Sequence, residues 1–277
     1  MKIIQLHNAE YSQMMGYILV TNEKKVIVID GGTTAEAPEF CRIMHSLGGH
    51  ISLWIITHPH YDHYGVLQTL TEHPDPEIQA GKVLWSAAPE PYVLPEWELS
   101  ANTEQWNQIL KNAVYPMQET FRGDRFTVGT AEVEILRDVN TAEHAGNLNH
   151  LSIVLAVTDQ SSLKPFRMLF LGDLDKTGGE ELLEIWKDAP EKLKADGVQM
   201  AHHGQQGVDL PVYQAIAPRY AFWPTPRWLW ENQKDGKPGP WETLTVRGWM
   251  EELGAEPVTA MEHSTCFDTQ TETWRPL

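Results

Sequence analysis

The chain has 277 residues, 42% of them hydrophobic, and a formal net charge of -17. This is enough apolar material for a sizeable core in a soluble protein, and no stretch approaches the roughly 18 apolar residues of a membrane-crossing helix. The acid excess works against nucleic acid, whose phosphates are held by Lys and Arg; the two cysteines, Cys41 and Cys266, are too few for a disulfide framework.

In chain order, the apolar runs 17–21 (YILVT) and 26–30 (VIVID) read as strands, the second ending in Asp30 before Gly31 and Gly32. A helix is expected over 35–47, and a third strand, 53–57, runs straight into THPHYDHYG. There His58, His60, Asp62 and His63 fall within six residues. Imidazoles and a carboxylate set so densely gain little from burial and repel one another when charged, whereas metal ligation uses them all. Helix 65–73 follows. Segment 86–120, with Pro89, Pro91 and Pro95 and then a helix over 102–120, looks like an insertion.

Further strands are expected at 133–136, 152–157, 167–171 and 198–201, and helices at 179–187, 208–217 and 242–253. Strand 167–171 leads into Gly172 and Asp173, and strand 198–201 leads into His202 and His203. A Trp- and Pro-rich loop at 223–241 carries Trp223, Trp228, Trp230 and Trp241, which can pack that loop onto the body or line a pocket or an oligomer contact. With no linker or low-complexity segment, residues 1–277 are expected to form a single α/β domain, covered on both faces of its sheets. The first twelve residues carry no apolar run of signal-peptide length, so the expected compartment is the cytoplasm.

In α/β folds, functional groups gather beyond the C-terminal ends of strands. Four strands here end in such groups: Asp30; His58, His60, Asp62 and His63; Asp173; His202 and His203. His58 and His60, alternating along an extended segment, can face one metal, while Asp62 and His63 reach a second. Asp173 can bridge the two and His202 can complete the second site.

The stretches VIVIDGG, THPHYDHYG, GDRFTVGTAEVEIL, NHLSIVL, LFLGDL and AHHG, spread over about residues 15–225, resemble the metallo-β-lactamase fold superfamily of metallohydrolases. Within it the pattern is most similar to the metallohydrolase domain of bacterial competence (DNA-uptake) channel proteins and its free-standing relatives. The resemblance implies a four-layer αββα sandwich of two mixed sheets flanked by helices, with a dinuclear centre along one edge. It implies His58 and His60 as ligands of the first metal, Asp62, His63 and His202 as ligands of the second, Asp173 as the bridge, and Asp30 as a buried acid orienting a loop histidine. Many superfamily members place a third histidine ligand of the first metal between the HxHxDH and GD motifs. Here the competence-type pattern puts Asn149 near the metal, with Ser152 after it, and leaves His150 and His144 as competitors.

The implied cofactors are two divalent ions, zinc first, with manganese or iron as alternatives. Asp62 and His203 are the expected catalytic residues, the latter touching substrate or its leaving group. A metal-dependent hydrolase acting on a small phosphoester or phosphodiester is expected, with a thioester or lactone hydrolase as the alternative. From other classes, a di-iron oxidoreductase and a non-catalytic interaction module also stand; the first generally replaces the second histidine of HxHxDH by glutamate, and the second generally loses its ligands. The expected partners are a small-molecule substrate and a second copy of the chain, without nucleic acid or membrane.

Overall fold

The strand Val26–Asp30 is buried at every position because its two faces meet two different cores. Ile27 and Ile29 join a core lying between two sheets, and Val26 and Val28 join a core beneath helices. The strand Phe166–Phe170 divides likewise, with Met168 and Phe170 facing the inter-sheet core and Leu169 the helices. Both-face burial is what turns a strand into a continuous apolar run. A computed structural model describes residues 1–8, 12–87, 102–139 and 147–277.

The first sheet has eight strands, in the order Thr273–Pro276, Thr265–Asp268, Lys2–Gln5, Gly16–Val20, Val26–Asp30, Leu53–Ile55, Val83–Trp85 and Met117–Glu119. The second has seven, in the order Glu256–Thr259, Tyr220–Trp223, Gly197–Gln199, Phe166–Phe170, Val154–Asp159, Ala131–Arg137 and Arg125–Val128. Each sheet is antiparallel in one half and parallel in the other. The sheets pack face to face, and Tyr17 meets Phe170 edge-on between them with ring centroids 5.2 Å apart. Helices Ala37–Ser46, Tyr61–Glu72 and Glu104–Asn112 cover the first sheet; Lys176–Ile185, Leu210–Ile216 and Thr243–Leu253 cover the second. These are the four αββα layers expected. Of the outermost strands, Glu256–Thr259 carries Pro257 and Thr273–Pro276 ends in Pro276.

Several expected boundaries move. The helix expected at 65–73 begins at Tyr61, with His60 as its N-cap, so Asp62 and His63 occupy its first turn. The helix expected over 102–120 ends at Asn112, and Met117–Glu119 is an edge strand. Pro116 lies between them, and proline cannot continue a helix. The strand expected at 198–201 spans Gly197–Gln199. Short strands such as Val83–Trp85 were not foreseen, since three residues show no period. The Trp-rich stretch holds a helical turn, Arg227–Trp230, and a small hairpin, Gln233–Lys234 with Lys237–Pro238. Trp223 and Trp230 meet edge-on at 5.1 Å, with the Arg247 guanidinium 4.1 Å over Trp230, so this stretch packs on the body. Residues 88–101 of the expected insertion, and His144, lie outside the described residues. Among the described residues, no helix is long and apolar enough to cross a membrane.

Candidate metal centre

Asp30 ends its strand with a left-handed φ of 57° and is fully buried. Its Oδ1 accepts the Thr57 amide at 2.8 Å, and its Oδ2 accepts from the Thr57 hydroxyl at 2.9 Å and lies 2.9 Å from His63 Nδ1. Burial raises the Asp30 carboxyl above its ordinary range, although His63 pulls the other way. A carboxylate on one imidazole nitrogen fixes the ring and aims the other nitrogen. His63 Nε2 accordingly faces Asp173 Oδ1, 3.3 Å away.

The loop after Leu53–Ile55 supplies the next two imidazoles. His58 is buried, and its Nε2 is 2.9 Å from His60 Nδ1. Burial, with His63 and His60 alongside, holds the His58 imidazole well below its usual range.

Asp173 enters from the second sheet through Gly172, whose φ is +58°. A Cβ there would sit 2.9 Å from Ser152 Oγ and 3.1 Å from Thr57 Cβ, so only glycine lets the two sheets' loops meet this closely. Gln199 Oε1 accepts the amides of Leu171 and Gly172, each at 2.8 Å, and Ser152 Oγ accepts the Asp173 amide at 3.0 Å. The carboxylate is thus aimed by backbone contacts rather than by its own rotamer alone.

His202 and His203 are consecutive left-handed residues, with φ of 49° and 56°. The alternation of a strand does not govern them. His203 turns inward and is fully buried, its Nδ1 donating to the Pro224 carbonyl at 3.2 Å and its Nε2 lying 3.0 Å from Asp62 Oδ2 and 3.2 Å from Asp173 Oδ2. His202 is 23% exposed, with Nδ1 donating to the Gln206 carbonyl at 3.0 Å and Nε2 3.9 Å from Asp173 Oδ2.

Two groups of donor atoms result. Asp62, His63, Asp173 and His203 each offer one atom within 4.8 Å of the others, and so do His58, His60 and Asp173, with Asp173 common to both. His63 Nε2, Asp173 Oδ1 and His203 Nε2 are buried and make no hydrogen bond. A buried polar atom without a hydrogen bond costs about 1–3 kcal/mol; ion-pair contacts of 3.0 to 3.3 Å with one another and Asp62 offset part of that, and the convergence of the three in one place fits a cation. Electrostatics agree. Burial opposes charging of His203, yet Asp173 and Asp62 push it up to about 10; His63 is raised in the same way against burial by Asp173, Asp30 and Asp62. Burial works against the Asp173 carboxylate too, but His203 and His63 hold it well below the usual range. This pocket gathers positive charge, and its nitrogen and oxygen donors suit a divalent metal.

The expected residues therefore divide. His58, His60, Asp62, His63 and Asp173 are brought together with His203, and Asp30 stands behind His63. His202, expected as a ligand, lies outside both groups, because the turn at 202–203 points the second histidine inward. Asn149 borders the centre, with Nδ2 3.4 Å from His202 Nε2 and a buried Oδ1 that makes no hydrogen bond. His150 turns away, its Nδ1 2.8 Å from Asp175 and its Nε2 3.1 Å from Glu181, which also binds Arg137. That carboxylate cage accounts for its absence from the donor groups. Thr57 and Gln199 were not singled out from sequence; a polar residue at the end of each apolar run was the available signal.

Residues 17–219 match the family model described as the metallo-beta-lactamase superfamily. A search of curated proteins gives no match. Among solved structures, the metallo-beta-lactamase fold protein YhfI from Bacillus subtilis aligns with a TM-score of 0.57 at 10% identity, over 97% of this chain and 100% of that one. CmlA, a diiron beta-hydroxylase from Streptomyces venezuelae, aligns with a TM-score of 0.53 at 13% identity, over 92% of this chain and 52% of that one. At such identities the likeness is one of fold.

Proposed function

This chain belongs to the metallo-beta-lactamase superfamily, and we propose that it is a hydrolase working with two divalent metal ions, zinc or, as alternatives, manganese or iron. In this reading His58, His60 and Asp173 hold one ion, and Asp62, His63, Asp173 and His203 hold the other. The observation that carries it is the sharing of Asp173 between two donor groups, with three buried donor atoms left unbonded among them. Asn149 Oδ1, buried and without a hydrogen bond, would be available to supplement the first ion, whose donor group is the smaller.

Two bound ions activate water near neutral pH and polarise the bond under attack. The chain's own residues do the positioning. Asp30 and Thr57 keep the His63 ring in one orientation, and Gln199 and Ser152 keep Asp173 between the two sheets. His202 is a partly exposed imidazole bordering the centre; its Nδ1 donates to a carbonyl, and its Nε2, 3.4 Å from Asn149 Nδ2, can take up a proton and pass it to the substrate's leaving group.

For the substrate, the competence-type resemblance around Asn149 and Ser152 supports a phosphoester or phosphodiester, and the net charge of -17 supports a small one over a nucleic acid. A thioester or lactone is the alternative. The test is elemental analysis of protein purified without chelator, alongside turnover of bis(p-nitrophenyl) phosphate, for wild type and Asp173→Ala. About two metal equivalents and turnover, both lost in the variant, support the reading. Turnover of lactones or thioesters alone moves the substrate to the alternative class, and metal-free, inert protein overturns the enzyme. The di-iron oxidoreductase reading has a likeness of fold to CmlA behind it and requires substrate-dependent dioxygen uptake.

A further inference from the structure

The strands Gly16–Val20 and Val26–Asp30 run antiparallel, with Gly16 opposite Asp30 and Val20 opposite Val26. The metal centre therefore lies at one end of this pair and Val20 at the other. At the Val20 end the helical layer gives out, since Ala37–Ser46 stops and the chain turns at Leu47 and Gly48. A cleft of about 660 Å³ opens there against the outer face of the first sheet. Its volume falls within the roughly 300–1,000 Å³ of small-molecule sites.

The lining has two parts. The floor is apolar: Ile4 and Cys266 are cross-strand partners, Val20 lies beside them, and Ile43 and Leu47 form the helix-side wall. The rim is cationic, with Lys2, Lys24 and Arg275 around it. Among the described residues these three side chains make no ion pair, in a chain with 38 acidic residues against 21 basic ones. No Asp or Glu side chain lines the cleft. Of the acids nearest in sequence, Glu23 accepts from Thr130, and Asp268, opposite Lys2 in register, accepts the Gln270 amide and makes no ion pair with Lys2. Cations left unpaired over an apolar floor match a ligand with the reverse layout.

We propose that this cleft is a second binding site, for a small amphipathic anion: a compact apolar body on Ile4, Val20 and Cys266, and a carboxylate or similar headgroup on Lys2, Lys24 and Arg275. Two independent terms act together here, apolar burial and charge complementarity. The site shares no residue with the metal centre and does not depend on the hydrolase reading.

The test is calorimetric titration of the whole, metal-loaded protein with octanoate, with acetate and octan-1-ol as probes of headgroup and tail alone. The variant pair Lys24→Glu with Arg275→Glu reverses two exposed rim charges, and Val20→Trp fills the floor from a half-buried position. We expect one octanoate per chain, no saturable heat from acetate or octanol, and binding at least roughly tenfold weaker in the charge-reversed protein and in Val20→Trp, with metal content unchanged. Absence of saturable octanoate binding to wild type overturns the proposal. So does binding that survives charge reversal but disappears in Asp173→Ala, which would put the carboxylate on the metal centre instead.

Discussion

The two ends of one strand pair treat charge in opposite ways. At the Asp30 end, three carboxylates and four imidazoles are packed into the protein, and each ionised group is held by a neighbour of opposite sign. At the Val20 end, Lys2, Lys24 and Arg275 are exposed and, among the described residues, make no ion pair. Burying charge costs several kcal/mol per ion unless geometry and hydrogen bonds offset it, whereas solvated charge costs almost nothing. The first end thus holds its charged groups in place through one another, which aims their donor atoms at common points. The second is indifferent to occupancy, and any ligand there adds to a structure already complete.

The largest break in this contrast is Asp173→Ala. Removing the residue common to both donor groups is expected to empty both metal positions and to lower turnover by more than the 10–100-fold that outer partners of a metal site are worth, as read by elemental analysis and kinetics. His202→Ala is expected to keep both metals and lose about 10²-fold in kcat, since the residue borders the donor groups without joining them. Third, metal uptake should depend on pH. His63 and His203 are raised in the metal-free protein, His203 to about 10, so an incoming ion displaces protons that are still bound at neutral pH. Affinity is expected to rise from pH 6.5 to 8.5 with measurable proton release, by calorimetry in buffers of different ionisation enthalpy; pH-independent affinity would contradict the arrangement. The octanoate titration sharpens the other end, where reversing rim charges should leave metal content alone. The smallest effect is Gly172→Ala, which forces a left-handed non-glycine residue and crowds Ser152. It is expected to cost about 1–2 kcal/mol in urea denaturation, with Asp173 displaced as well.

Much of the convergence could be anticipated. Apolar runs ending in Asp30, His58 or Asp173 announce strands buried on both faces, and strands of one sheet necessarily bring their ends to one edge. The αββα layering came with the family resemblance rather than from periodicity. What stayed hidden was direction. Whether His202 or His203 faces inward depends on two consecutive left-handed residues, a conformation that non-glycine residues adopt at a cost and that no spacing announces. The helix start at Tyr61 was hidden for a related reason: its N-cap is His60, which makes no side-chain cap, so the usual Ser, Thr, Asp or Asn signal is missing. His150 was ambiguous for a third reason, because Asp175 and Glu181, which hold it, lie 25 and 31 residues further along the chain.

The prolines on the outermost strands bear on how the molecule behaves in a crowd. Open sheets present unpaired backbone groups that recruit strands from other chains, and natural proteins blunt such edges. Pro257 removes an amide donor from one outer strand, and Pro276 removes one at the end of another. Edge-to-edge pairing of copies is thereby discouraged at one edge of each sheet, while the opposite edges, Met117–Glu119 and Arg125–Val128, carry no proline and are the ones left open to it.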